Sequence, residues 1–220
     1  MNSPLSCDIT EEFERVVIQK KWEGPQRRIG ITGGIASGKS EIGRYLQETK
    51  KIKIIDADIL SHKALASGEI TSQKIIARYG EEILKKDYDN KHIINRSILA
   101  DIIFSNKDER IWLEQLIHPI IRKEIVRKLK QFNNKKIIAL VIPLLFEAKM
   151  VDLCSEIWVV NCSLKQQYQR LKDRDNLSRS EAKKRIDCQF SMSLKKKFAD
   201  KVIENSGSKD IWKKQIEDLL

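Results

Sequence analysis

Apolar positions along the chain fall into short runs separated by longer periodic stretches. Runs at Arg28–Thr32, Lys53–Ile55, Lys136–Ile142 and Ile157–Val160 read as strands, and Val202-Ile203 as a fifth, short one. From Ile137 the third run is apolar without a break, as in a strand buried on both faces. Helical spacing predicts helices over Glu41–Glu48, Leu164–Arg174 and Asp210–Leu219. Ser178-Arg179-Ser180-Glu181 has the form of a capping box that opens another. From Ile59 to about Phe132 the pattern is largely helical, and His118–Phe132 carries a proline near its first turn. Ile9–Lys21 reads as a short helix with no assigned role. Alternating strands and helices predict an α/β fold, a parallel sheet with helices on both faces. The helical stretch between the second and third strands exceeds a simple crossover, which predicts an inserted helical subdomain.

Composition narrows the classes. The chain has 220 residues, room for one α/β domain with an insertion. Lysine and arginine total 42 against 31 acidic residues, a net charge of +11 that favours nucleic acid, anionic lipid or phosphorylated small molecules. The basic residues are spread out, and the tightest cluster, Lys195-Lys196-Lys197, reads as a solvated helix face. Cys7, Cys154, Cys162 and Cys188 match neither a zinc site nor a disulfide framework. They read as small buried side chains in a reducing cytosol, so a cytoplasmic location is expected. No apolar run approaches the ~20 residues of a membrane span. The first 26 residues hold Glu11, Glu12 and Glu14 and no apolar segment of a secretory signal.

Gly33-Gly34-Ile35-Ala36-Ser37-Gly38-Lys39-Ser40 fills every fixed position of the phosphate-binding loop GxxxxGK[ST]. Gly33 and Gly38 allow backbone angles that a Cβ would block, so the loop turns its N–H groups inward onto phosphate oxygens. The following helix adds the positive end of its dipole. Lys39 would reach the β- and γ-phosphates of ATP, and the Ser40 hydroxyl would ligate Mg²⁺. The loop alone does not name a reaction. A GTPase switch needs aspartate three positions before a glycine, and no glycine here has it. Asn106-Lys107-Asp108-Glu109 has its aspartate one place early for guanine recognition. A small-molecule kinase remains.

Such a kinase needs an acceptor base and mobile cations. Asp56 and Asp58 stand where the second strand ends, the edge at which open parallel sheets bind ligands. In an extended Asp-Ala-Asp both carboxylates would face one way, one taking the acceptor's proton, the other holding Mg²⁺ and its waters. The spacing treats the two alike, and helix N-capping is the competing role. Arg170 and Arg174 share a helix face and could close over the transferring phosphoryl group, or pair with Asp173 or Asp175 at the surface. His62, His118 and Arg122 say little alone; His118, before Pro119, reads equally as a capping or packing residue.

Taken together and in order, these segments resemble the dephospho-CoA kinase family. The match runs collinearly from about Arg28 to Asn205 and includes Asp56-Ala57-Asp58, Asn95-Arg96, His118-Pro119, Pro143-Leu144-Leu145-Phe146-Glu147 and the Arg185-Ile186-x-x-Gln189 pattern. Ala36 stands where the family commonly has glycine, and Asn95 where it often has aspartate. The resemblance implies a parallel five-stranded sheet in nucleoside monophosphate kinase order, within a three-layer P-loop kinase fold. It implies a kinase domain over 27–220 with a helical CoA-binding insert at about 59–133 and a lid at about 166–190, leaving 1–26 as an extension of unknown role. It also implies ATP-dependent phosphorylation of the 3′-hydroxyl of dephospho-CoA. Asp58 would be the base, Arg170 would contact ATP phosphates, and His62, His118 and Arg122 would line the acceptor cleft. Two other readings stand beside it: a P-loop kinase for another nucleoside, nucleotide or sugar, and a basic nucleic-acid-binding module.

Overall fold

The structure, a computed structural model, describes residues 20–66, 68–86 and 91–220. In chain order its elements are β1 (Arg27–Gly33), α1 (Lys39–Glu48), β2 (Lys53–Asp56), α2 (Ala57–Ala64), α3 (Ile70–Tyr79), β3 (Leu84–Lys86), β4 (His92–Ile94), α4 (Arg96–Ser105) and α5 (Lys107–Gln131). There follow β5 (Ile137–Val141), β6 (Glu156–Asn161), α6 (Leu164–Asp175), α7 (Arg179–Asp187), α8 (Met192–Lys197), β7 (Lys201–Glu204) and α9 (Lys209–Leu219). The chain divides into two compact units, one of residues up to Asp56 together with Gln131–Leu220, the other Ala57–Lys130.

The first unit is built on a parallel sheet of order β2-β5-β1-β6-β7. β1 lies at its centre, so Ile29 to Gly33 are buried on both faces. Ile42 and Leu46 of α1 and Trp212 and Ile216 of α9 pack with Ile29, Ile31, Val141, Trp158 and Ile203 in one core cluster. Tyr45 meets the Trp212 ring edge-on at 5.3 Å. A fully buried side chain of this size contributes about 1.5–3 kcal/mol, and the continuous apolar runs of β1, β5 and β6 exist to supply it. The five expected strands are all present. The lysine cluster read as a helix face lies in α8, where Lys195 is fully buried while Lys196 and Lys197 are exposed. The solvated-face reading therefore fails at Lys195, because the helix turns that residue inward onto Glu147.

The second unit contains α2 to α5 and a small antiparallel hairpin, β3 with β4. The hairpin was not expected; its strands are only three residues long, too short to carry an alternating pattern. Asn95 caps α4 by accepting the Ser97 N–H at 3.2 Å, a task asparagine performs as well as aspartate. Asn106 caps α5 by accepting from the Asp108 N–H at 2.9 Å. That cap starts the helix eleven residues before His118, so Pro119 lies inside α5 and not near its first turn. The stripe Leu113, Ile117, Ile121, Ile125 and Leu129 is buried at a strict four-residue spacing. Arg78 reaches both Glu109 oxygens at 2.6 and 2.8 Å, and the Tyr79 hydroxyl donates to the same carboxylate at 2.6 Å. Of the expected helix at Ile9–Lys21, positions 9–19 lie outside the described residues, and Lys20 and Lys21 are not helical.

Candidate active site

The phosphate loop leaves the C-terminal end of the central strand and enters α1, so the sheet aims it at the edge where parallel sheets bind ligands. Three of its residues have positive φ: Gly33 at 149°, Ala36 at 56° and Gly38 at 101°. Gly38 has a second reason to lack a side chain. A Cβ there would stand 2.1 Å from Asn205 Nδ2, which donates to the Ser37 carbonyl at 2.8 Å. Lys39 is buried and folds back over the loop, donating to the carbonyls of Gly33 at 3.2 Å and Gly34 at 2.7 Å. Ser40, the next residue, is exposed in the first turn of α1.

α6 supplies the far side of the loop. Ser163 and Gln166 close a reciprocal capping box at its start. Gln167 and Arg170, three residues apart, then fall on one face. Gln167 Nε2 donates to the Ile35 carbonyl at 2.9 Å. Arg170 donates to the Ala36 carbonyl at 3.1 Å and the Asn205 carbonyl at 3.2 Å. Its positive charge and that of Lys39 are felt at Cys162: burial pushes this thiol above its ordinary value, while the two cations pull the other way. Burial first, and then the charge of Asp152, drive the Cys154 thiol up to about 12 against the pull of Arg28 and Lys21. Arg174, on the same helix, is exposed and forks onto Asp175 with both contacts at 2.8 Å. A groove of about 560 Å³ beside Tyr168, Lys172 and Arg179 lies on the opposite face of α6 from Gln167 and Arg170, away from the loop.

β2 ends at Asp56, which is half-buried, and α2 begins at Ala57. Asp58 therefore sits exposed in the first turn of a helix. The expected extended Asp-Ala-Asp does not form, and strand alternation cannot align the two carboxylates. Asp58 lies in the second unit with exposed His62 and half-buried His118 and Arg122. The His62 carbonyl accepts from Arg96 at 3.2 Å.

The sequence reading missed the work of Gln167, Gln189 and Asn205. All three bond to backbone groups of the loop, Gln189 Oε1 accepting the Ile35 N–H at 2.9 Å. For Gln167 a signal was there, its three-residue offset from Arg170. Asn205 and Gln189 carry no local signal, because their partners are more than 150 residues away.

The dephospho-CoA kinase family model matches residues 27–210. The chain belongs to the dephospho-CoA kinase family. A dephospho-CoA kinase from Prochlorococcus marinus is 48% identical over 201 residues, which is 91% of this chain and 96% of that protein. The dephospho-CoA kinase from Campylobacter jejuni superposes with a TM-score of 0.59 at 29% identity, over 87% of this chain and 94% of that one. A crystal structure from Thermus thermophilus superposes with a TM-score of 0.71 at 27% identity, covering 89% and 97% of the two chains. The fold is that of the P-loop kinases, a five-stranded parallel sheet with its phosphate loop after the first strand. Among the described residues no helix is long and apolar enough to cross a membrane.

Proposed function

We propose that the chain transfers the γ-phosphoryl group of ATP to the 3′-hydroxyl of dephospho-CoA, giving CoA and ADP, the last step of coenzyme A synthesis. The observation that carries this reading is a complete phosphate loop on the central strand of a chain that matches the dephospho-CoA kinase family over 27–210. In the reaction the acceptor oxygen bonds to the γ-phosphorus, the bond from that phosphorus to the β–γ bridging oxygen breaks, and the hydroxyl proton leaves to a base.

The residues divide the work. The loop Gly33-Gly34-Ile35-Ala36-Ser37-Gly38 presents backbone N–H groups such as that of Ala36 to the phosphates, and Lys39 neutralises charge at the β- and γ-positions. Arg170, anchored on the loop's far side, adds a second positive charge where negative charge builds in the transition state. Arg174 joins it by leaving Asp175. Asp58 takes the hydroxyl proton. Its exposed place in a helix's first turn leaves it accessible, as a base must be. His62, His118 and Arg122 bind the acceptor's anionic groups within the unit that we assign as the CoA-binding insert, and we assign α6 and α7 to a closing lid.

The Ser40 hydroxyl and the Asp56 carboxylate are hard oxygen donors, a set that suits Mg²⁺ carried in on the nucleotide. Held there, the ion would neutralise phosphate charge. The enzyme acts in the cytoplasm on two polyanionic substrates, which the net charge of +11 attracts without any need for nucleic acid.

The test is ADP release from ATP and Mg²⁺ with dephospho-CoA, against adenosine, AMP, a sugar and pantothenate. Release that depends on dephospho-CoA alone is expected. Turnover only with another acceptor would leave a P-loop kinase of different specificity.

A further inference from the structure

One peptide group of the phosphate loop is held from both sides by side chains. The Ile35 N–H donates to Gln189 Oε1 at 2.9 Å, and the Ile35 carbonyl accepts from Gln167 Nε2 at 2.9 Å. Neither amide can be turned around, since an N–H must meet an oxygen and a carbonyl must meet an N–H. Gln189 lies just after α7, and the next residue is tied down too. The Phe190 N–H donates to Glu147 Oε1 at 3.0 Å, and Lys195 Nζ lies 2.7 Å from that same oxygen. Lys195 is fully buried and the Glu147 side chain is 11% exposed. Among the described residues, Nζ and Glu147 Oε2 make no aligned hydrogen bond.

A buried ion pair with unfilled hydrogen-bonding capacity is a poor source of stability, because apolar residues of similar size often do as well or better. What such a pair offers is a defined geometry, and here the geometry runs in a line. Lys195 orients Glu147, Glu147 fixes the backbone at Phe190, and Phe190 places Gln189 against the loop.

We propose that Gln189 is a positioning residue for phosphoryl transfer. It sets the Ile35 peptide and thereby the aim of the N–H group that follows at Ala36, while the Glu147–Lys195 pair holds Gln189 in place. This rests on the kinase reading above. Gln189 touches no reacting atom; it acts through the loop backbone.

The test compares Gln189→Met, which keeps the length and loses the acceptor, with the double variant Glu147→Met/Lys195→Met, which removes both buried charges together. Gln189→Met is expected to lower kcat about 10–100-fold, with KM for dephospho-CoA within about twofold of wild type. The double variant is expected to melt within a few degrees of wild type and to lose kcat by a similar factor. Adding Gln189→Met to it should cost less than about threefold more, because the two changes break one line of contacts. Wild-type kcat in Gln189→Met would overturn the proposal, whether or not the double variant folds. So would a double variant that recovers full kcat along with its melting temperature, since the pair would then be structural alone. Wild-type turnover is read in parallel with each acceptor. Its failure with dephospho-CoA would count against the substrate, and the same ratios on the acceptor that works would still judge Gln189.

Discussion

Ala36 occupies the left-handed region with φ 56°, a conformation that costs an L-residue about 1–2 kcal/mol. Glycine there relieves that strain but loosens the unfolded chain by about 0.4–1 kcal/mol. Ala36→Gly should therefore raise Tm by about 1–4 °C, measurable by calorimetry. Lys39→Ala should lower kcat by about 10²-fold or more, since electrostatic stabilisation dominates this chemistry. Asp58→Asn should keep ATP binding by calorimetry and lose turnover; near-wild-type kcat would remove Asp58 from the role of base. At this scale the sequence was legible wherever residues act within one short segment, as in Gly33 to Ser40. It misled at Asp56-Ala57-Asp58, because the strand gives way to helix between the two carboxylates. It misled at Lys195 too, since a charge cluster does not reveal which member faces a buried carboxylate 48 positions away.

Elements were read more securely than their ends. Apolar runs named the five strands, helical spacing named α6, and capping chemistry named the start of α7, where Ser178 closes a box as Ser163 also does at α6. The His118 expectation failed because proline was taken as a beginning, while Asn106 had already capped α5 upstream. α6 matters most for function, since it delivers Gln167 and Arg170 to the loop from a single face. Ser163→Ala removes its cap and should lower stability by about 1 kcal/mol. The resulting drop in Tm should be about 2–4 °C. Arg170→Ala should lower kcat, raise KM for ATP, or both; unchanged steady-state kinetics would detach Arg170 from the phosphates.

For the whole molecule, the second unit carries its own acid sensitivity. Arg78 and Tyr79 hold the Glu109 carboxyl at about 2, below its ordinary 4.5. A depressed carboxylate contributes stability above its unfolded value, and that contribution disappears as pH falls through the folded one. Wild-type stability should thus fall between about pH 4.5 and pH 2 more steeply than that of Glu109→Gln, as followed by circular dichroism at each pH. Parallel slopes would show that the cluster does not govern acid unfolding.

The pairing of the central strand has a consequence in time. β1 is among the first elements made, yet its two neighbours are β5, with Arg27 opposite Ile137, and β6, with Ile29 opposite Glu156. At a synthesis rate of about 5–20 residues per second, the strand bearing the phosphate loop waits roughly 5–20 s for its first partner. Throughout that interval Ile29 and Ile31 have no sheet to join, and Lys39 has no framework to fix its reach. A ribosome stalled ahead of β5 would hold a finished nucleotide motif on an unfinished protein, an apolar strand open to chaperones and to other nascent chains.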